Sequence, residues 1–170
     1  IDTNIFVPEK KLYKKHFIFL ITCNIRKKSF YRISTVIEAF NELLLENKNL
    51  HLKIAGNIED NKELLNKIRR LKLDKNITFI KNYSQKDAPF IYRSADAYIT
   101  MAFQDNCPSA VLEAMSSGLP ILYSMSGGIP ELVDSNSGIG LKVKENWENI
   151  QVPSKSDIKN GMRKIIEYKN

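Results

Sequence analysis

The stretch FIFLIT, from Phe17 to Thr22, has no charged residue and no polar position before its last. It is too short for a buried helix, and its bulky side chains need apolar surroundings on both sides, as in a central strand of a parallel sheet. An alternation follows it. Ile33, Val36, Ile37, Phe40, Leu43 and Leu44 recur at helical spacing and predict a helix ending near Asn47. LHLKIAG (Leu50–Gly56) predicts a second strand, Leu64, Leu65, Ile68 and Leu71 a second helix, and NITFI (Asn76–Ile80) a third strand. A short helix over Ala88–Arg93, a strand over Ala95–Thr100, a helix over Ser109–Ser117 and strands over Pro120–Ser124 and Ile139–Val143 continue the pattern. A helix from Ser156 to about Tyr168 closes it. Strands separated by helices pair in parallel through right-handed crossovers. The expectation is therefore an open, Rossmann-like α/β sheet of about six strands with helices on both faces. Ligands of such sheets sit at the carboxyl ends of the strands, where loops converge and helix N-termini expose N–H groups.

The length of 170 residues suits one domain with one continuous core. Apolar residues make up 43% and charged residues 26%, the balance of a soluble globular protein. No apolar run approaches the roughly eighteen residues of a membrane-spanning helix. The opening IDTNIFVPEKK lacks the apolar centre of a signal peptide and does not begin with Met, so the chain reads as an excised piece. Its net charge of +7 suits anionic ligands, nucleic acid or an anionic membrane surface. Most lysines are scattered through Lys-Asn-rich polar stretches, and neither Trp147 nor the seven tyrosines interleave with basic residues as base-stacking aromatics do. A solvated basic surface is favoured over a nucleic-acid face. Cys23 and Cys107 form no CxxC pair, which suggests neither a zinc site nor a disulfide framework and fits a reducing cytosol. His16 and His51 stand at strand starts with no spaced partner for a triad or a metal, so both are expected to be structural.

The densest chemistry lies in DNCPSAVLEAMSSG. Pro108 suits a first helical turn, and Gly118 with Pro120 suits a stop. Val111, Leu112, Ala114 and Met115 leave the helix little polar surface, so Glu113 is expected to be partly buried and to need a partner. Asp105 lies eight residues earlier, in the loop entering the same helix, and both carboxylates are expected to face the region before its N-terminus. Exposed N–H groups between them suit phosphate oxygens. Asp105 as a simple helix-entry acid and Glu113 as a surface residue is the competing reading. The next segment, PILYSMSGGIPELV, runs from a strand into Gly127-Gly128 and then a short helix starting at Pro130-Glu131. Glycines after a parallel strand let backbone approach a ligand closely.

The run DNCPSAVLEAMSSGLPILYSMSGGIPELV resembles the signature region of family 4 retaining glycosyltransferases, in the C-terminal domain of the GT-B fold. The likeness covers nearly the whole chain. IDTNIFVP resembles the linker entering that domain, so residues 1–12 read as linker-like, and FIFLITCNIR, LHLKIAGN and NITFIKNYS resemble its first three strands. The resemblance implies a nucleotide-sugar-binding domain whose donor is a UDP- or GDP-linked sugar. It implies that Asp105, where the family usually has Glu, contacts the transferred sugar, and that Glu113 binds the ribose hydroxyls. Asn106, Cys107, Pro108, Ser109 and Ala110 then form the loop and helix N-terminus meeting donor hydroxyls and diphosphate. Gly56, Asn82 and Tyr83 would meet the base through backbone. Arg26 matches the family's diphosphate-neutralising Arg. Tyr31 falls at the usual Lys, with Arg32 beside it and Lys27 and Lys28 upstream. Either Arg32 substitutes by a one-residue shift, or the clamp is weakened, or RKK is simply a basic loop.

No metal and no cofactor besides the donor are implied. Walker A, GxGxxG and GxSxG patterns are absent. The resemblance further implies a glycan or lipid-linked acceptor bound through an N-terminal domain that this chain lacks, a role in surface-glycan biosynthesis, and a cytoplasmic enzyme compatible with peripheral association at the inner face of the membrane. A non-catalytic nucleotide-sugar-binding module, a GT-B epimerase-type enzyme and, last, a basic nucleic-acid-binding domain are the other readings.

Overall fold

The computed structural model describes residues 1–9, 15–23, 30–57, 62–144, 146 and 148–167. Its elements run β1 (Phe17–Thr22), α1 (Phe30–Glu46), β2 (Leu50–Ala55), α2 (Lys62–Arg70), β3 (Ile77–Ile80), α3 (Ala88–Arg93), β4 (Ala97–Thr100), α4 (Ser109–Ser116), β5 (Ile121–Met125), α5 (Ile129–Leu132), β6 (Gly138–Lys142) and α6 (Lys155–Glu167). The six strands form one sheet in the order β3-β2-β1-β4-β5-β6, and every pairing is parallel. Between β1 and β4 the winding reverses. The first three strands step outward on one side, and the chain then crosses back to lay β4 on the other flank of β1.

The FIFLIT run behaves as its composition requires. Phe19 and Ile21 point into one apolar layer and Leu20 into the other, all of them buried. The first layer packs β1, β2 and β4 beneath the stripes of α1 (Val36, Ile37, Phe40, Leu43), α2 (Leu64, Ile68) and α6 (Ile158, Met162, Ile165). The second packs Leu20, Tyr98, Ile121 and Tyr123 against α3, α4 and α5 through Ile91, Tyr92, Val111, Ala114 and Ile129. Helices thus cover both faces, and each strand alternates its side chains between them. Along the outer edge of α1 and α6, Glu42 pairs with Lys155 at 2.6 Å and Glu46 with Arg163 at 2.6 Å. Part of the excess basic charge is thereby neutralised far from the loops that matter below. Among the described residues no helix is long and apolar enough to cross a membrane.

Strand ends differ from the sequence expectation where a tertiary bond intervenes. The β4 run was expected from Ala95, but the Ala95 N–H bonds the Tyr92 carbonyl at 3.0 Å and finishes the α3 turn. Asp96 then ties this end to β1 from both sides, its N–H donating to the Ile18 carbonyl at 2.7 Å and its carboxylate accepting from the Ile18 N–H at 2.9 Å. The last strand runs one residue earlier than expected, in register Ile121 to Gly138 with β5. His16 and His51 lie at the amino end of the sheet with rings 6.5 Å apart, and His51 meets Thr78 at 2.8 Å.

The segment before β1 docks on the second layer. Phe6 is 1% exposed, meets Tyr92 edge-on at 5.9 Å, and accepts a bond at its carbonyl from the Ser116 hydroxyl at 2.6 Å. Replacing Phe6 with Ala should therefore cost about 3 kcal/mol of stability. Urea unfolding should show this as a lower midpoint with an unchanged slope. A loss near zero would mean that the segment is not docked in solution.

Candidate functional site

The register brings four strand ends to one edge. Thr22 pairs with Ala55 and Ala55 with Ile80, so Cys23, Gly56-Asn57 and the loop from Lys81 to Gln85 leave the sheet side by side. Thr100 ends β4 on the other flank of β1 and leads into the Met101–Pro108 loop. At the reversal point lies a cleft of about 230 Å³, lined among the described residues by Thr22 and Cys23 of the β1 end, Arg32 of α1, Thr100 of β4, Asp105 and Pro108 of the loop entering α4, and Ala110 in the first turn of that helix. A second, more open depression shares Thr22 and Cys23 and continues to Gly56, Asn57, Asn82, Tyr83 and Gln85. The two form one groove along the carboxyl edge.

Arg32 stands in the first turn of α1, and its guanidinium is the cation of the cleft among the described residues. Burial pushes its pKa below the usual value, opposed by the nearby Cys23 and Asp105 groups. A half-buried guanidinium retains its proton, so the cleft carries a fixed positive charge facing a carboxylate. Cys23 lines the same cleft. Burial pushes the Cys23 thiol up to about 12, against the lowering influence of Arg32.

The Asp105 loop is held from behind by β5. The Ser124 hydroxyl donates to the Ala102 carbonyl, the Gln104 N–H donates to the Ser126 hydroxyl at 2.9 Å, and the Gly128 N–H donates to the Asp105 carbonyl at 3.0 Å. The Gly127-Gly128 pair was expected to give a ligand close access. Here the close approach is to chain: a Cβ on Gly127 would collide with the Asp105 backbone, and one on Gly128 with the Asn106 carbonyl. The missing Cβ atoms of these glycines make room for the loop. Gly56 is similar, its φ of +135° and missing Cβ making room for the Cys23 carbonyl.

The helix α4 begins at Ser109 after Pro108, with no side-chain cap. Pro108 has no N–H and the Val111 N–H bonds the Pro108 carbonyl at 3.0 Å, so of the first N–H groups, which an α-helix leaves without i−4 partners, those of Ser109 and Ala110 stand at the cleft edge. Asn106, Cys107 and Ser109 are exposed around this opening. The two acids are not brought to one cavity. Asp105 lines the cleft, whereas Glu113, half-buried on the side of α4 facing the second depression, accepts from the Tyr92 hydroxyl at 2.9 Å and from the Gln85 amide at 3.2 Å. Its charge and burial both raise the Tyr83 pKa, burial being the larger cause. The partner that a half-buried Glu113 demanded is thus Tyr92, and no sequence signal singled it out. Arg26, Lys27 and Lys28 lie outside the described residues, as does Trp147.

Comparison with known proteins decides what kind of chain carries this groove. The sequence model of glycosyl transferases group 1 matches residues 2–167. The chain belongs to this family. A curated relative of the group 1 domain, an uncharacterized glycosyltransferase of Haemophilus influenzae, is 26% identical over 121 residues, 71% of this chain and 33% of its own length. The chain thus spans about a third of that relative. Among solved structures the domain is similar to the C-terminal domain of a group 1 family protein, LpcC, from Francisella tularensis, with a TM-score of 0.78 and 22% identity over 99% of this chain and 91% of that one. It is also similar to HepE of Anabaena, solved with UDP-glucose, with a TM-score of 0.71 and 19% identity over 89% of this chain and 39% of that one. At these identities the likeness is one of fold, the GT-B glycosyltransferase fold of these neighbours.

The environments of the two cysteines differ enough to be read chemically. At pH 8 the Cys23 thiol remains protonated and half-buried, while Cys107 is exposed. Iodoacetamide labelling followed by mass spectrometry should modify Cys107 at least about tenfold faster than Cys23, because only the thiolate attacks. Equal rates would contradict the buried floor assigned to the groove.

Proposed function

We propose that this group 1 domain binds the nucleoside-diphosphate sugar of a retaining hexosyltransferase along the carboxyl edge of its sheet. The observation carrying the reading is the cleft at the reversal point, where Arg32, Asp105 and the uncapped start of α4 line or border one space. A diphosphate lying there would meet a fixed cation and the Ser109 and Ala110 N–H groups of the helix start, both suited to charge that grows as the leaving group departs. The bond between anomeric carbon and diphosphate oxygen breaks as an acceptor hydroxyl oxygen attaches to that carbon, and the hydroxyl proton passes to the departing diphosphate. Asp105 is then available to a sugar hydroxyl, and Glu113 to the ribose. Asn82, Tyr83 and the backbone at Gly56 would border the base, in keeping with the second depression. Of the basic residues that the family resemblance offers, Arg32 carries this role in the described groove, and Arg26 is assigned to the same diphosphate from sequence.

The donor is taken to be UDP- or GDP-linked, in line with the UDP-glucose complex of HepE and the UDP complex of the pneumococcal O-GlcNAc transferase GtfA, each similar in fold. The acceptor, a glycan or a lipid-linked one, would be held by the N-terminal half that the family resemblance implies. Surface-glycan assembly, a cytoplasmic location and peripheral contact of the full-length protein with the inner face of the membrane belong to the same reading.

Calorimetric titration with UDP, GDP and ADP tests the core of it. One nucleotide series should bind, and Arg32→Ala and Glu113→Ala should each weaken it about tenfold or more, as expected when a charge-assisted bond of at least about 1.4 kcal/mol is lost. A folded domain that binds none of the three, or variants that bind as tightly as wild type, would contradict the proposal.

A further inference from the structure

The two bonds that hold Glu113 are unequal. Gln85 is exposed, and its amide meets Oε1 at 3.2 Å, a contact that water or a ligand hydroxyl can replace. Tyr92 is 1% exposed, and its ring is wedged between Phe6, with centroids 5.9 Å apart, and Tyr98, at 5.8 Å. Its hydroxyl reaches Oε2 at 2.9 Å. An ionised carboxylate only accepts, so Tyr92 donates its single proton to Glu113 and has only acceptor capacity left. The Thr22 hydroxyl, 3.4 Å away, is placed to fill it, and Thr22 lies 2.8 Å from the Tyr98 hydroxyl. Donation therefore runs one way, from Tyr98 through Thr22 and Tyr92 to the carboxylate. The chain starts on β4, passes the last residue of β1 and ends on α4, spanning the reversal point beneath the groove.

We infer that Tyr92 is a positioning residue, holding Oε2 of Glu113 so that Oε1 is presented to the vicinal hydroxyls of a nucleotide ribose. The inference rests on the donor reading above. A glutamate free to rotate loses rotamer freedom when it takes a ligand, and a bond that fixes it beforehand removes that cost. Tyr92 itself is buried under the groove and touches no ligand. Its contribution should therefore appear only with ligands that have hydroxyls for Glu113 to bind.

The test compares UDP with 2′,3′-dideoxy-UDP, or GDP with its dideoxy analogue where guanine is preferred, titrated into the full chain and into Tyr92→Phe. Phe keeps the ring that packs on Phe6 and Tyr98. Wild type should favour the ribonucleotide, and Tyr92→Phe should lose about tenfold in ribonucleotide affinity while binding the dideoxy compound unchanged. A variant that keeps the wild-type preference overturns the inference and leaves the donor reading standing. A variant weakened equally toward both ligands also overturns it, since Tyr92 would then serve the fold alone. A wild-type domain that does not distinguish the two overturns the assignment of ribose to Glu113, and this inference with it.

Discussion

Right-handed crossover is the constraint from which the rest of this molecule follows. A strand–helix–strand unit that steps in one direction along a parallel sheet must place its helix on one face, and a unit stepping the other way must use the opposite face. In the order β3-β2-β1-β4-β5-β6 the steps change direction at β1. The helices α1 and α2 accordingly lie on one side, and α3, α4 and α5 on the other. The helices that follow the adjacent strands β1 and β4 therefore lie on opposite faces, and a crevice forms at the carboxyl edge between them. Arg32 enters that space from one face and Asp105 with the start of α4 from the other. A cleft at this edge is a consequence of topology, and side chains decide its charge and its chemistry.

Beneath the cleft the core departs from its apolar composition. Tyr92 and Tyr98 are among the largest fully or nearly fully buried residues, and burial raises both of their pKa values well above the usual phenol range. Buried hydroxyls are costly unless bonded, and these are bonded to Thr22 and Glu113. On the other side of the cleft, Ser124 and Ser126 hold the Asp105 loop, and the Gly127-Gly128 backbone packs against it. These bonds hold the carboxyl-edge loops and the helices beside them, whereas the stripes of α1, α2 and α6 meet the sheet through aliphatic and aromatic contacts. Preorganised loops of this kind suit a ligand whose charge has to be met at fixed points.

Much of the architecture was legible because the signals were local. FIFLIT, the six-residue stripe of α1 and the α4 run from Ser109 each specify their own element, and the structure has them where periodicity places them. Ends governed by partners were less legible: Ala95 reads as strand but belongs to the turn after α3, because its N–H is taken by Tyr92. The same holds for the site. Asp105 and Glu113 stand out in the sequence by spacing, yet that spacing does not reveal that they border different parts of the groove, since the separation depends on which side of α4 faces α3. Tyr92, Tyr98, Thr22 and Gln85 carry no motif, and only the folded chain brings them to Glu113. Gly127 and Gly128 were legible as a place of close approach, but the sequence does not say that the approaching group is the Asp105 loop.

Whether the reversal-point groove is where this group 1 domain meets its nucleotide is read most directly from an amide chemical-shift titration of the labelled domain with UDP and GDP. Shifts should concentrate at Thr22–Cys23, Gly56–Asn57, Asn82–Gln85 and Ala102–Glu113, with the amino edge around His51 and Asp96 unmoved. Shifts clustered at that opposite edge, or along the outer faces of α1 and α6, would contradict that placement.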